Sequence, residues 1–251
     1  MDISGFLQRY DGLSELTRRA YRNSLEQLES HIADSEPTDE EVRAFLRGFR
    51  KGSTLQRHKS AIKRYFIYTG RPWLFDPKEF ARTGKRLPRY LDRGSIDHLI
   101  GAAHDQHQRM FVKTLFMTGI RIGELIRLTD ENIEPDGIRL VGKGDKERLV
   151  PILEKEFLQE LKEYAGKRRG KLFPESYYNY WLLLRRLCVE AGLEIVSPHS
   201  LRHSRAVDLL NKGLSLGGLQ SFLGHKDPAT TLIYSQLTQR DLKRELEKLE
   251  G

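Results

Sequence analysis

One stretch of the chain carries convincing β-strand signals, and the sequence around it is helical in pattern. In EPDGIRLVGKGDKERLVPI, the segments from Ile138 to Val141 and from Arg148 to Ile152 flank the tight turn GKGDK, which predicts a β-hairpin. Elsewhere, apolar residues recur at the three- and four-residue spacing of amphipathic helices. The chain is therefore predicted to be mainly α, with one small antiparallel β-sheet.

The first 80 or so residues predict a helical bundle. Ser14 fits the N-cap of a first helix, with Leu16 among its apolar residues. Thr38 fits the N-cap of a second, and Glu41 would complete a capping box. Residues 53–70 predict a third helix that ends at a glycine.

The stretch ARTGKRLPRYLDRGS separates two domains in our interpretation, because it combines glycine, proline and basic residues. We predict a helical domain over residues 1–82, a basic linker over 83–94 and a second domain over 95–251, with Ser95 capping its first helix. Later helices in that domain are predicted over 154–165, 176–191, 198–212, 215–223, 228–236 and 238–249.

A strong excess of positive charge limits the partners of this chain. It has 251 residues, a formal net charge of +8 and a pI of about 9.5. Such a balance favours a polyanion, with nucleic acid the first candidate and an anionic membrane surface the second.

The positive charge is concentrated in the first domain. Between Val42 and Phe75 there is no acidic residue, whereas a solvated face would ordinarily mix signs, because like charges repel at helical spacing. We interpret this window and the linker as a phosphate-binding face, with a plain solvated face as the alternative. The predicted DNA-binding residues are Arg43, Arg47, Arg50, Lys51, Arg57, Lys59, Lys63, Arg64, Arg86 and Arg89.

The single cysteine, Cys188, excludes an internal disulfide framework and fits a reducing cytoplasm. Its neighbours are apolar or basic, so we predict a buried core thiol. No apolar run approaches the roughly 20 residues that cross a bilayer, and the N-terminal residues lack the pattern of a secretory signal. We therefore expect a cytoplasmic protein.

Two segments place basic side chains at predicted helix N-termini, which suit anions. In MTGIRIGELIRL, Arg121 follows a helix-breaking glycine, although it could equally be a surface residue paired to Glu124 or Asp130. In SPHSLRHSRAVDLL, His199 and Arg202 share the first turn of a helix. A histidine one turn after His199 raises metal binding as an alternative. Zinc sites need three or four ligands, and no HExxH or CxxC motif supplies them, so no metal site is predicted.

The segment LGHKDPATTLIY contains one of the ten tyrosines of the chain. Gly224 is predicted to end a helix, with His225 directly after it. Asp227 and Pro228 are predicted to start the helix that carries Tyr234. Neither His225 nor Tyr234 is distinctive alone, because single histidines and tyrosines are mostly structural, but the two occur together, separated by one helix start and about two turns.

Four motifs, TGIRIGEL, VGKGDKERLVP, PHSLRHS and LGHKDPATTLIY, occur in this order. Together they resemble the tyrosine recombinase (phage integrase) family, most closely its short Xer-type members. The resemblance implies an N-terminal SAM-like core-binding domain and a C-terminal catalytic domain that cleaves and rejoins DNA through a 3′-phosphotyrosyl intermediate, with Tyr234 as the nucleophile. It maps the family's catalytic set onto Arg121, Lys143, His199, Arg202, His225 and Tyr234.

The resemblance also implies a reaction without metal, ATP or any cofactor. Arg121 and Arg202 would neutralise the charge that develops on the phosphate, because guanidinium groups stay charged and bind two oxygens at once. Lys143, at the hairpin tip, would act as general acid for the leaving 5′ oxygen. His199 and His225 would contact the phosphate or transfer protons.

The implied partners are double-stranded DNA and further copies of the chain, as a dimer or tetramer on DNA. A leucine stripe on the predicted tail helix 238–249 indicates docking, either on a neighbouring subunit or on its own. Two other functions stay open at this stage. A type IB-like topoisomerase shares the metal-free tyrosine chemistry, and a non-catalytic DNA-binding protein would share only the charge.

Overall fold

The computed structural model describes residues 1–10, 13–32, 36–49, 52–75, 88–141, 147–224 and 231–234. By their internal contacts, the residues divide into two compact units, Met1–Arg86 and Leu87–Gly251. The predicted fold class is confirmed: the elements are mostly helical, with one small antiparallel sheet. The finer division at 1–82, 83–94 and 95–251 stays a prediction.

In its described residues, the first unit contains four helices, α1 (Ile3–Arg9), α2 (Glu15–Glu29), α3 (Asp39–Arg47) and α4 (Gly52–Tyr68). Ser14 caps α2 as predicted, accepting a hydrogen bond from the Thr17 amide. The predicted capping box of α3 is also present, because Thr38 accepts from the Glu41 amide while Glu41 accepts from the Thr38 amide at 2.7 Å. Local sequence signals therefore set both helix starts.

The core of the first unit forms from the apolar faces of these helices. It includes Phe6, Leu25, Leu46, Ile62 and Phe66. Two positions lie at its edge or outside it. Trp73 lies at the edge and packs against Phe66, with ring centroids 5.8 Å apart. Leu16 lies outside the core, against expectation, and is 81% exposed, because it is on the solvent side of the first turn of α2.

The second unit begins with α5 (Arg93–Gly101), α6 (Gln106–Thr118) and α7 (Ile122–Leu125). The prediction that Ser95 caps the first of these helices was wrong. Asp92 is the N-cap, and its carboxylate accepts a hydrogen bond from the Ser95 amide at 2.8 Å. Both residue types cap helices well, so the local pattern alone did not separate them.

A three-stranded antiparallel sheet follows a short 3₁₀ turn, Asp130–Asn132, in the order β1 (Ile133–Glu134), β2 (Gly137–Val141) and β3 (Glu147–Pro151). The predicted hairpin is β2–β3, with Ile138 opposite Val150. At Gly137 a β-carbon would lie 2.3 Å from the Val150 carbonyl oxygen, so this start of the hairpin needs glycine. Strand β1 was not predicted, because two residues are too short for a periodic signal.

The remaining helices of the second unit are α8 (Lys155–Gly166), α9 (Tyr177–Glu190), α10 (Pro198–Asn211) and α11 (Leu216–Leu223). Each lies within about two residues of its predicted range. Residues 231–234 are helical, inside the predicted helix 228–236. The rest of that helix, and the tail helix 238–249, lie outside the described residues.

Helix α6 is the central element of the second unit and packs against α5, α8 and α10. Cys188 on α9 is fully buried, as predicted, and burial raises the pKa of its thiol. On α10, the buried Arg205 pairs with Glu154 and Asp208, at 2.9 Å each. No helix in the described part of the chain is long and apolar enough to cross a membrane.

Candidate active site

Arg121 takes its position from the sharp turn between α6 and α7. Gly119 ends α6 in the left-handed conformation, with φ of 59°. A β-carbon there would lie 3.0 Å from Leu223 Cδ2, so α11 also packs closely against this turn. Arg121 is the N-cap of the four-residue α7, and its amide donates to Glu124 Oε2 at 2.7 Å. Its guanidinium pairs with Glu124 Oε1 at 3.1 Å, which confirms the Glu124 pairing considered from the sequence.

Arg202 is held at the first turns of α10. As predicted, Ser197 is the N-cap of that helix and Pro198 is its first residue. The Arg202 side chain is buried, with only 4% of the residue exposed, and donates to two backbone carbonyls. Nη1 donates to Gly119 at 2.5 Å and Nη2 donates to Leu223 at 2.7 Å. These bonds tie α10 to the ends of both α6 and α11, so the guanidinium has a fixed position.

Tyr234 is buried beside the same helix, with 1% of the residue exposed. Its hydroxyl lies 2.8 Å from Nδ1 of His203, and the two ring centroids are 5.6 Å apart. It packs in a small apolar cluster with Ala206, Val207, Leu219 and Leu223. The contacts place this tyrosine against α10 and α11, the helices that also hold Arg202.

The charges of the two arginines reach the tyrosine. Burial raises the pKa of Tyr234, while the positive charges of Arg202 and Arg121 oppose that rise. Burial, with further repulsion from Arg121, lowers the pKa of Arg202 to about 10, so this residue stays charged at neutral pH. The two guanidinium charges therefore offset part of the cost that burial places on the phenolate form.

Two histidines of α10 also belong to this environment. Desolvation, together with the smaller effects of His199 and Arg202, lowers the pKa of His203 to about 4, so His203 is neutral near pH 7. The pKa of His199 is lowered as well, first by desolvation and then by the charges of Arg202 and Arg121. His199 is nevertheless exposed at the surface of the unit.

Of the six predicted catalytic residues, four lie together: Arg121, His199, Arg202 and Tyr234. Lys143 and His225 lie outside the described residues, although the strands on either side of Lys143 and the glycine before His225 are described. Within the described ranges, no group of three or more His, Cys, Asp or Glu side chains could hold a metal ion.

Three residues of the site were not predicted to act there. His203 was considered only as a metal ligand, Glu124 only as a surface partner of Arg121, and Arg148 only as a strand residue. Arg148 on β3 donates to the Leu223 carbonyl at 2.8 Å and to Glu124 Oε2 at 3.1 Å. The one local signal for any of them was the spacing of Glu124 three residues after Arg121, which permits the capping contact.

The predicted basic face is only partly described. Arg47, Arg57, Lys63 and Arg64 are exposed, whereas Arg43 and Lys59 are half-buried. Arg50, Lys51 and Arg86 lie outside the described residues. Arg89 is exposed and lies 3.5 Å from Glu194 in the second unit.

One basic residue of the acid-free window has an internal role. Arg71 pairs with Asp39, donates to the Pro37 carbonyl, and has its guanidinium carbon 4.3 Å from the centroid of the Phe66 ring. The charge of Arg71 is therefore neutralised by an ion pair within the first unit.

Comparison with known proteins identifies the class. Residues 89–240 match the phage integrase family, and residues 4–71 match the N-terminal SAM-like domain of phage integrases. The chain therefore belongs to the phage integrase family, the site-specific tyrosine recombinases.

Within this family, the chain is similar to Xer recombinases. It is 32% identical to tyrosine recombinase XerD of Vibrio cholerae, over 93% of this chain and 89% of the relative. It is also 32% identical to XerD of Proteus mirabilis, over 92% of this chain and 86% of the relative.

Solved structures share the fold at lower identity. The Tn1549 transposon integrase in complex with transposon right-end DNA superposes with a TM-score of 0.73 at 17% identity, covering 100% of both chains. A lambda integrase dimer bound to a COC′ core site gives 0.72 at 21% identity, over 92% of this chain and 94% of that chain. XerH bound to its difH substrate gives 0.71 at 21% identity, over 92% and 79% of the two chains.

Proposed function

We propose that this tyrosine recombinase cleaves and rejoins DNA in the manner of Xer proteins, with Tyr234 as its nucleophile. The observation that carries the proposal is the placement of the Tyr234 hydroxyl. It lies 2.8 Å from a ring nitrogen of His203, and the charges of Arg202 and Arg121 act on it. The phenolic oxygen would attack the phosphorus, the bond to the 5′ oxygen would break, and a 3′-phosphotyrosyl ester would form.

The two arginines would stabilise the transition state. Negative charge grows on the non-bridging phosphate oxygens during the transfer, and fixed guanidinium groups neutralise it without having to reorganise. Arg202 uses two of its donors on the Gly119 and Leu223 carbonyls, which fixes the group in place before DNA binds. His199, at the exposed edge of the pocket, would donate a hydrogen bond to the phosphate or transfer a proton.

The two remaining roles belong to residues outside the described ranges. Lys143, on the turn of the β2–β3 hairpin, would protonate the departing 5′ oxygen, and His225 would contact the phosphate. The phosphotyrosyl ester conserves the energy of the broken phosphodiester, so a second DNA end can reverse the step. On this account the reaction needs neither a metal ion nor ATP.

DNA binding would use both units. The exposed basic residues of α3 and α4 suit the DNA backbone, and residues 83–94 would link this DNA-binding domain (1–82) to the catalytic domain (95–251). Recombination joins two duplexes, so we propose a dimer or tetramer on DNA, with the tail helix 238–249 exchanged between subunits. DNA as the substrate also favours the cytoplasm as the site of action.

A covalent-trapping experiment tests this function. The protein is incubated with nicked duplexes that were selected from random-sequence pools for binding, and covalent adducts and strand exchange are measured. We expect wild-type adducts and joined products, and no adduct for Tyr234→Phe. Tyr164→Phe, at another buried tyrosine, serves as the matched control and should keep the adduct.

The same experiment separates the alternative functions. Adducts with DNA relaxation but no exchange would indicate a type IB-like topoisomerase. The absence of any adduct with the wild-type protein would contradict both enzymatic functions and leave a DNA-binding protein.

A further inference from the structure

The carbonyl of Leu223, in the last turn of α11, accepts hydrogen bonds from two arginines. Arg202 donates to it at 2.7 Å from α10, and Arg148 donates at 2.8 Å from β3. A helix C-terminus has free carbonyls and a partial negative charge, so it suits cations. This one carbonyl joins the hairpin to the helix that carries the catalytic arginine.

The other end of the Arg148 guanidinium reaches a second shared acceptor. Its Nη2 donates to Glu124 Oε2 at 3.1 Å, and the same oxygen accepts the Arg121 amide at 2.7 Å. The other Glu124 oxygen takes the Arg121 guanidinium at 3.1 Å. Arg148 therefore shares one acceptor with each phosphate-binding arginine. It shares the Leu223 carbonyl with the Arg202 side chain and Glu124 Oε2 with the Arg121 amide.

Gly224 gives Arg148 its space. A β-carbon at position 224 would lie 1.7 Å from Arg148 Nη1, far inside any allowed contact. The glycine also has φ of 64°, a conformation that other residues seldom adopt. The residue before His225 is therefore restricted both by its backbone and by the guanidinium packed on it.

Arg148 is costly to bury. Desolvation lowers the pKa of its guanidinium, and among the described residues its Nε has no hydrogen-bond partner. A hydrophobic residue would fill such a strand position with less desolvation. Arg148 nevertheless contacts both the Leu223 carbonyl and Glu124, and these two contacts are the reason that we assign to Arg148 a function beyond stability.

We propose that Arg148 is a positioning residue for DNA cleavage, which holds β3, the strand that follows the Lys143 segment in the sequence, against the end of α11. This inference rests on the proposed function, since it takes Lys143 as the general acid. Losing the guanidinium would let the hairpin shift relative to the phosphate pocket, and misplacement of a catalytic group by about 1 Å can cost about 100-fold in rate.

The test measures single-turnover cleavage by Arg148→Gln on two DNA substrates. One has the normal 5′ oxygen at the scissile phosphate, and the other has a 5′ bridging sulfur, which leaves without a proton. We expect a loss of about 10- to 100-fold on the oxygen substrate and recovery to near the wild-type rate on the sulfur substrate. Arg148→Lys should recover little, because an ammonium cannot bridge Leu223 and Glu124 as a planar fork does.

Two further variants sharpen the test. Arg139→Gln, on the same hairpin, removes an arginine whose side chain is 48% exposed and pairs with the nearby Glu134, and it should keep the wild-type rates. Gly224→Ala should also slow cleavage, and its combination with Arg148→Gln should cost less than the sum of the two single losses, because both disturb one contact while the alanine strains the backbone as well.

The results distinguish the two proposals. Lys143→Ala should also recover on the sulfur substrate; if it does not, the general-acid assignment in the proposed function fails. If Lys143→Ala recovers but Arg148→Gln is equally slow on both substrates, or unchanged on both, the positioning role of Arg148 is overturned. Loss of the adduct in the wild-type protein would instead contradict the proposed function itself.

Discussion

At the scale of single residues, the burial of His203 beside Tyr234 makes the stability of the protein depend on pH. The hydroxyl lies 2.8 Å from Nδ1, and burial is the main reason that the pKa of His203 is about 4. An ordinary histidine in the unfolded chain has a pKa of about 6.5. Between these values the unfolded state binds a proton that the folded state does not, so acidification favours unfolding.

We predict that the free energy of unfolding of the wild-type protein falls as the pH drops from about 6.5 to about 4, with at most about 3 kcal/mol due to His203. His203→Asn should make this fall less steep, measured by urea unfolding at a series of pH values. His58, His107 and His199 also have lowered pKa values and will keep part of the slope.

Tyr234→Phe is the control for that experiment. It removes the hydroxyl but leaves His203 buried, so the pH dependence should stay close to that of the wild type. Equal flattening in both variants would show that the hydrogen bond, and not burial, sets the pKa of His203.

The residues of the site differ in how far sequence could predict them. Arg121, His199, Arg202 and Tyr234 stand in motifs that resemble a known family, and the fold brings them together. Glu124, Arg148 and His203 stand in the same motifs, but each also makes a contact with a residue distant in sequence, such as Arg148 with the Leu223 carbonyl. No local pattern encodes such a contact, because it exists only once α11, β3 and α7 have packed.

At the scale of elements, helix starts were predictable where one residue type had no competitor. Ser197 followed by Pro198 predicts one N-cap, and Ser197 is that cap. Asp92 and Ser95 are both good capping residues, and the cap is Asp92, not the predicted Ser95. The cap of α10 matters for function, because His199 and Arg202 lie in the first turns after it. The side chain of Ser197 accepts the Ser200 amide at 3.3 Å.

We predict that Ser197→Ala lowers the free energy of unfolding by about 1 kcal/mol and also slows DNA cleavage, because the first turn of α10 loosens around Arg202. Asp105→Ala, which removes the cap of α6 at the end far from Gly119, should lower stability similarly and leave the cleavage rate near wild type. Urea unfolding and single-turnover cleavage measure the two effects. Equal loss of rate in both variants would show that stability alone is responsible.

At the scale of the whole molecule, the net charge of +8 is distributed unevenly and should govern the salt dependence of DNA binding. Within its acid-free window, the first unit has basic residues that are exposed to solvent and a basic residue that is paired inside the unit. Arg57 and Lys63 are exposed on α4, whereas Arg71 is neutralised by Asp39. Composition indicated the polyanionic partner, but only the fold separates the charges available to DNA from those used internally.

We predict that Arg57→Ala and Lys63→Ala each reduce the slope of log Kd against log salt by about 1, whatever the DNA sequence. Arg71→Gln should leave that slope unchanged and lower the stability of the first unit instead. Fluorescence anisotropy with labelled duplex over a range of salt concentrations measures the slope. A reduced slope for Arg71→Gln, or none for the other two, would contradict this division.

The division into two units has an optical consequence. The chain has two tryptophans, and each unit holds one: Trp73 at the edge of the first core and Trp181 on α9 in the second. Trp181 stacks on Tyr178, with ring centroids 6.1 Å apart, and the Arg185 guanidinium carbon lies 5.7 Å from the centroid of its ring. Replacing either tryptophan with phenylalanine would leave one indole beside the ten tyrosines, so that emission excited selectively at the indole reports on a single unit at a time.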